Sequence, residues 1–303
     1  FFFLVSTIVS VIICFNVILN NAGVTSFSLF GEEKISGGFI QKFSLFAIFF
    51  LNLFILNFKT KKKIFTFNLL IVIFFGISIF LAENRISLLI FISYFFLLAL
   101  IYRQFRKYLI LFFIVGIFLS ALFASFFANQ SHKDKYLSFY GNARQIVVDG
   151  PKIFYHGYIE NYKIRYAGGY LVTLNSGVQT WKENKIFGAG LKSYRLNCND
   201  QGRELKFVFM SCNTHPHNYT IELLVDTGVV GLSFVYLILL FGVATFLKMY
   251  KKNIFKLYFY LPFFLILIFE IFPIRNTGSF FTTANAAYNF FIMAIFINLP
   301  RLQ

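Results

Sequence analysis

Charged residues are scarce in this chain of 303 residues, where Asp, Glu, Lys and Arg together make up 13%. A soluble domain carries about 25% charged residues, so the composition excludes an ordinary globular protein of one or two domains. Hydrophobic residues take 58% of the chain, and phenylalanine alone contributes 47 positions. The sequence therefore predicts an integral membrane protein.

The chain also lacks a signal-peptide pattern, because it begins with Phe1 already inside an apolar run. A secretory signal starts with a positively charged region before its apolar stretch. No cleavable signal peptide can be read from such a start, and we expect an N-terminally truncated sequence.

Apolar runs long enough to cross a bilayer recur along the chain, since a spanning helix needs roughly 20 residues. The runs lack the alternation of barrel strands, and backbone groups in lipid must bond within their own segment, so helices are expected. Eight spans are predicted, at 1–19, 38–58, 64–82, 86–102, 107–127, 219–247, 254–273 and 280–299. The predicted fold is an all-α polytopic membrane protein with helices over 1–127, a large periplasmic loop over 128–218 and helices over 219–303.

Acidic residues are missing from three of the junctions between these spans, and basic residues are concentrated there. By the positive-inside rule, these alternating junctions lie in the cytoplasm. The loop 128–218 and the turn 83–85 then face outward, which predicts a multi-pass membrane protein with its site on the outer side. Basic residues scattered over loops on both sides exclude a nucleic-acid-binding surface. The junction cations are Lys59, Lys61, Lys62, Lys63, Arg103, Arg106, Lys107, Lys248, Lys251, Lys252 and Lys256.

The outer loop 128–218 is long enough to fold as more than a connector. Residues 172–184 have the pattern of a short helix lying on the membrane, with Trp181 as an interfacial anchor. Cys198 and Cys212 both fall in this loop. In an oxidising periplasm such a pair predicts a disulfide, and two free thiols are the alternative.

The end of the loop carries a motif, in which His217-Asn218 is followed after nine residues by Gly228-Val-Val-Gly231. This spacing resembles the signature of the O-antigen ligase and O-antigen polymerase family. The same resemblance extends to WKENKIFGAGLKSYR at 181–195, THPHNYTIELLVDTGVVGL at 214–232 and PIRNTGSFFTTANA at 273–286, and more weakly to GEEKISGGF at 31–39 and ENRISLL at 83–89.

The resemblance implies a multi-pass enzyme of the bacterial inner membrane, with its active site facing the periplasm. Such an enzyme would be similar to the helical glycosyltransferases that use lipid-linked sugars. Its donor would be a glycan on undecaprenyl diphosphate, and its acceptor either lipid A–core sugar or a second lipid-linked glycan, within a membrane of lipids. Such an enzyme is expected to be an inverting glycosyltransferase without cofactor or metal ion. The resemblance leaves ligase and polymerase open as alternatives.

His217 is the predicted general base, because transfer to a sugar hydroxyl needs the hydroxyl proton removed and an imidazole suits neutral pH. The alternative is an inert histidine at a helix end. His215 is expected to be structural or to contact a sugar or phosphate. Zinc needs three or four ligands, and no set with the required spacing accompanies the two histidines.

Asn218 is predicted to cap the sixth span. Glu222 and Asp226 follow on one face of that helix, where the helix dipole favours negative charge. They are expected to orient His217 or to pair with a catalytic arginine, and Glu222 is a candidate substrate-binding residue. The alternative is that both are polar residues at the interface. Gly228 and Gly231 are expected to permit close helix packing without chemical contact.

Arg85 is the second predicted catalytic residue, since the family places an arginine after a short turn and ENR matches that pattern. A guanidinium binds a diphosphate bidentately and stabilises the charge that develops on the leaving group. Snorkelling of Arg85 at the interface is the alternative. Arg195 and Arg275 are further candidates for phosphate or acceptor binding. No basic residue lies between Arg165 and Lys182, which leaves another loop arginine of the family pattern unassigned.

Two other functions remain as alternatives. A flippase-type transporter would bind its substrate near the bilayer midplane with broken helices. Here the ionisable residues concentrate at one face instead. A non-catalytic polysaccharide-export protein would not need His217.

Overall fold

The fold is known from a computed structural model, which describes residues 2–21, 38–45, 62–101, 169–198, 212–252, 254–273 and 278–298, with isolated positions between 106 and 148. The chain forms two compact units, Phe1–Leu137 and Ser138–Gln303. Each unit has its own packing and is described by itself.

Seven long helices and no strands are present within these described ranges, in agreement with the all-α prediction. In chain order they are α1 (Phe2–Asn21), α2 (Lys62–Leu81), α3 (Arg85–Ile101), α4 (Gly169–Glu183), α5 (Tyr219–Lys252), α6 (Ile254–Glu270) and α7 (Thr283–Asn298). Residues 38–45 and 194–198 are also helical. Most of 107–127 and the segment 46–58 lie outside the described residues, so the number of eight spans stays a prediction.

The N-terminal unit packs α1 on α2 and α2 on α3. The rings of Phe15 and Phe74 lie 5.2 Å apart in a tilted contact between the first two helices. Asn84 caps α3, because its side-chain oxygen accepts the backbone N–H of Ser87 at 3.0 Å. The tight turn into the cap is made by Glu83, which takes a left-handed φ of 55°. One left-handed residue and one helix cap reverse the chain here, so α2 and α3 are joined by a short connection.

The C-terminal unit is organised around α5, which contacts α4, α6 and α7. Stacked aromatic rings hold α6 on α7, with Phe264 and Phe296 separated by 5.9 Å. The hydroxyl of Tyr260 donates to the Gly242 carbonyl at 3.2 Å and joins α6 to α5. A second core forms where α4 meets the start of α5; its buried members are Leu174, Val178, Tyr194, Cys198, Ile221, Leu224 and Val225.

Membrane character is clearest in α5. Its residues Tyr219–Lys251 are apolar enough and long enough to cross a bilayer, and shorter apolar helices cover Thr7–Asn21, Leu70–Leu81, Arg85–Leu98 and Tyr260–Glu270. These helices agree with the predicted membrane protein.

The predicted loop helix is present as α4, but one of its faces is buried against protein. Gly177 lies so close to α5 that an added Cβ would overlap the Ile221 side chain. Trp181 is half-buried beside the same core, and its indole N–H donates to the Lys185 carbonyl at 3.1 Å. The placement of this helix on a membrane surface stays a prediction.

Candidate functional site

Asn218 fixes the start of α5 from both sides. Its side-chain oxygen accepts the backbone N–H of Ile221 at 3.0 Å, which is the predicted helix cap. Its amide group donates to the Pro273 carbonyl at 2.6 Å, beyond the end of α6. Because Asn218 is fully buried, the residue before it is held in a defined place.

That residue is His217, which takes a left-handed φ of 51°. A positive φ is uncommon for a residue with a side chain, because it raises the free energy of the folded state. Such residues cluster at functional sites. Buried Pro216 precedes it, packed near Gly177 of α4. The half-buried His217 thus lies between two buried neighbours, Pro216 and Asn218.

The two predicted histidines lie against each other, with ring centroids 4.1 Å apart. Nδ1 of His215 lies 3.0 Å from the Thr214 hydroxyl, and its Nε2 is buried without a hydrogen-bond partner among the described residues. Burial, with a smaller effect from His217, lowers the pKa of His215 to about 4. His215 is therefore neutral at physiological pH, and it places no positive charge beside His217.

His217 and Arg195 line one open cavity of about 510 Å³. Its other lining residues are Cys212, Asn213 and Thr214. The Arg195 side chain is exposed, and no hydrogen bond is made by the His217 ring within the described part of the chain. The cavity thus presents a histidine and a guanidinium to the same space.

Two covalently joined segments bring these side chains together. The helical turn 194–198 carries Arg195 and ends at Cys198, and the structure links Cys198 to Cys212 with a Cα–Cα distance of 5.7 Å. Cys212 begins the stretch that leads to His217. The disulfide therefore ties the arginine turn to the histidine turn.

Asp226 holds the other end of the arginine turn. Its carboxylate, 2% exposed, accepts the backbone N–H of Lys192 at 2.7 Å and the hydroxyl of Ser193 at 3.2 Å. Further backbone hydrogen bonds come from Ser193 and Tyr194. A carboxylate at the start of a helical turn satisfies N–H groups that have no partner inside the turn. Asp226 is thus bonded to this turn, whereas the sequence suggested His217 or an arginine as its partner.

Glu222, one helical turn before Asp226, is bonded to a different segment of the chain. One carboxylate oxygen accepts the hydroxyl of Ser279 and the other accepts the backbone N–H of Phe280, both at 2.5 Å. The side chain is buried, so these contacts connect α5 to the segment that leads into α7. The structure gives Glu222 protein partners, and its role as a substrate contact stays a prediction.

Gly228 breaks α5, which corrects the expectation that it only permits helix packing. Its φ of 68° and ψ of −167° fall in a region that is essentially restricted to glycine. The carbonyls of Val225 and Asp226 accept N–H groups of Ala189 and Gly190, at 2.9 and 3.0 Å. The N–H groups of Val229 and Val230 donate to the carbonyls of Lys185 and Ile186, at 2.9 and 3.1 Å. The turn 185–190 therefore fills the break and satisfies the backbone groups that it frees.

Arg85 and Arg275 are the remaining predicted residues. Arg85 is the first residue of α3, half-buried in the N-terminal unit, where its backbone N–H donates to the Glu83 carbonyl at 3.2 Å. Arg275 lies outside the described residues. The structure therefore brings together His217, His215 and Arg195 within one unit.

Sequence reasoning missed Asn213 and Thr214 as cavity residues and the connection from Asp226 to the arginine turn. The only sequence signal for Asn213 and Thr214 is their position directly before the two histidines. The turn at Gly188-Ala-Gly190 was visible in the sequence, but its partner Gly228 lies far away in the chain.

A family model described as O-antigen ligase matches residues 69–236, more than half of the chain. The matched region runs from α2 through the loop to the middle of α5, and it includes the cavity and the Gly228 break. No curated protein and no solved structure matches the chain.

Proposed function

The chain belongs to the O-antigen ligase family, and from that premise we propose that it transfers an undecaprenyl-diphosphate-linked glycan to a sugar hydroxyl at the periplasmic face of the inner membrane. The family has ligase-type activity in lipopolysaccharide biosynthesis and consists of integral inner-membrane proteins. The donor, the acceptor, the multi-pass topology and the residue roles are the proposed part.

The observation that carries this proposal is the shared cavity of His217 and Arg195. Glycosyl transfer needs a base that removes the acceptor hydroxyl proton as the new bond forms. A positioned histidine contributes typically about 10²–10⁴-fold to such a step. The His217 ring is half-buried and lines the space, and its neighbour His215 is neutral at physiological pH because burial lowers its pKa to about 4. We assign the base to His217.

Arg195 supplies the anion-binding part of the cavity. The diphosphate of a lipid-linked donor is a strongly charged leaving group, and a guanidinium binds phosphate oxygens bidentately. Arg195 is exposed and lines the cavity that His217 also lines. It therefore binds either the leaving diphosphate or the anionic acceptor. Arg85 is proposed as a second diphosphate contact and Arg275 as an acceptor contact, both from the family resemblance alone.

The proposed chemistry is a single displacement. The acceptor oxygen attacks the anomeric carbon, its proton passes to the imidazole of His217, and the glycosidic bond to the diphosphate breaks. Attack from the face opposite the leaving group inverts the anomeric configuration. The step is proposed to be metal-independent, with arginine side chains stabilising the charge that develops on the departing diphosphate.

The break in α5 does not favour the transporter alternative. In transporters with broken helices, the freed backbone groups at the break bind the substrate or a coupling ion. Here the turn 185–190 already bonds the freed groups on both sides of Gly228. Four backbone groups around the break are thus bonded to protein, whereas the cavity at the start of α5 presents ionisable side chains.

A His217→Ala variant tests the assignment of the base. We expect transfer to fall by about 10²–10⁴-fold while expression stays near normal. Asn213→Ala is the matched control, because Asn213 lines the same cavity and carries no ionisable group. Full activity of His217→Ala, or an equal loss in Asn213→Ala, would show that the histidine is not the base.

The lipid profile of a deletion strain separates ligase from polymerase. Full-length polymer accumulating on undecaprenyl diphosphate indicates a ligase, and accumulating single repeat units indicate a polymerase. An unchanged lipid profile would contradict the proposed reaction.

A further inference from the structure

The turn that fills the break in α5 carries large apolar side chains that project from the protein. Ile186 is 62% exposed, Phe187 75% and Leu191 67%. Exposed apolar residues that occur singly are normal, but a contiguous group marks a binding surface. These three residues flank the glycines of the Gly188-Ala-Gly190 turn, so we define them as the apolar turn.

The apolar turn is continuous with the exposed face of α5. The Ile186 carbonyl bonds the N–H of Val230 at 3.1 Å. Val229, Val230 and Phe234 are all exposed, and exposed Leu237 and Leu240 continue the same helix toward its far end. Since α5 is long and apolar enough to cross a bilayer, the turn adjoins a face that is suited to lipid.

The depth of the turn follows from the length of the second part of α5. Hydrocarbon about 30 Å thick takes about 20 helical residues at 1.5 Å each. Basic residues begin at Lys248, and counting back over residues 228–247 reaches the helix break at Gly228. With Lys248 at one membrane surface, the break and the apolar turn bonded to it lie at the opposite edge of the hydrocarbon.

Charge at the ends of the turn fits the same position. Lys185 precedes Ile186, Lys192 follows Leu191, and both lysines are exposed. Apolar side chains bordered by lysines are typical of segments that lie in the headgroup layer, where the cations meet lipid phosphates. We infer that the apolar turn Ile186, Phe187 and Leu191 inserts into the lipid bilayer at its interface and holds the loop of this unit against the membrane.

This inference does not rest on the proposed function, because its partner is the bilayer and its readout is fluorescence. The native chain has a single tryptophan, Trp181, which supplies the baseline. Phe187→Trp adds a second indole at a position where little packs on the side chain. Asn213→Trp is the control, because Asn213 is exposed and lies before the nine-residue segment 219–227, about 13 Å of helix away from the break.

The full-length variants are placed in nanodiscs of phosphatidylcholine with or without bromine on the acyl chains near the headgroup. We expect bromine to quench most of the fluorescence that Phe187→Trp adds and little of that added by Asn213→Trp. Bromine near the methyl ends of the chains should quench the Phe187→Trp signal less. Leu191→Trp repeats the test should Phe187→Trp fail to fold. Added fluorescence that is quenched no more than in the Asn213→Trp control, in either turn variant that folds, would overturn the inference.

Discussion

The carboxylate of Asp226 accepts a hydrogen bond from the backbone N–H of Lys192 at 2.7 Å. This contact joins residues from the first part of α5 and from the outer loop. Asp226 also accepts the Ser193 hydroxyl at 3.2 Å, so one buried side chain holds the turn that presents Arg195 to the cavity. Asp226 therefore acts on Arg195 through the backbone of the turn.

Asp226→Asn is expected to weaken this turn although the side-chain shape is kept. The amide has one acceptor oxygen in place of two and carries no charge, and a hydrogen bond to a charged group is worth about 1.5–3 kcal/mol. We expect a lower melting temperature and reduced glycan transfer. Lys192→Ala is the matched control, because it removes an exposed side chain and keeps the backbone N–H. A variant Asp226→Asn with native melting and native transfer would contradict this role.

Gly228→Ala is expected to disrupt the junction between α5 and the turn 185–190. An added Cβ would overlap the Ile186 carbonyl group, and the φ of 68° is unfavourable for alanine. Strain of this kind costs of order 1–3 kcal/mol before the overlap is counted. The expected result is a clear loss of thermal stability together with loss of transfer.

Gly231→Ala provides the comparison within the same motif. An added Cβ there would also overlap a neighbour, the Thr227 side chain, but Gly231 does not have a positive φ, so alanine would not strain the backbone at this position. We expect a smaller effect on the melting temperature. Equal melting temperatures for the two variants would mean that the stability of the protein does not depend on Gly228 permitting the break in α5.

The stability of the C-terminal unit is expected to depend on His215 in mildly acidic solution. Burial lowers the pKa of this histidine to about 4, whereas an unfolded histidine titrates near 6.5. Between these values the unfolded chain binds more protons than the folded chain, so the stabilisation present above about pH 6.5 declines as the pH falls toward 4.

Melting temperatures of purified protein in detergent, measured from pH 7 to pH 4, check this dependence. His215→Asn should lose less stability over that range than the native chain, since it removes the titrating group. Parallel curves for the two proteins would show that His215 does not contribute to the acid sensitivity.

Arg85→Lys is expected to lose most of its transfer activity although the positive charge is kept. An ammonium group cannot reproduce the planar, two-point contact of a guanidinium with phosphate oxygens. The cap at Asn84 bonds the backbone N–H of Ser87, and the substitution keeps this contact, so we expect the variant to express like the native chain. Near-normal turnover of the Arg85→Lys variant would indicate that Arg85 is a snorkelling residue at the start of α3.

Much of the helical architecture and one detail of the site could be read from the sequence. Long apolar runs predicted the helices because backbone groups in lipid must bond within their own segment. The Asn218 cap was predictable because it bonds Ile221, only three residues away. The family resemblance from the His217–Gly231 spacing is confirmed by the family match over residues 69–236.

Only the tertiary structure decided what the polar residues of α5 contact. Asp226 bonds a turn more than thirty residues earlier, and Glu222 bonds Ser279 more than fifty residues later. Gly228 reads as a packing glycine in the sequence, but its left-handed conformation exists because the turn 185–190 enters the helix there. Sequence spacing determines contacts within one helix turn. Contacts between segments depend on how the chain packs. In this protein those contacts bring Arg195 and His217 to one cavity.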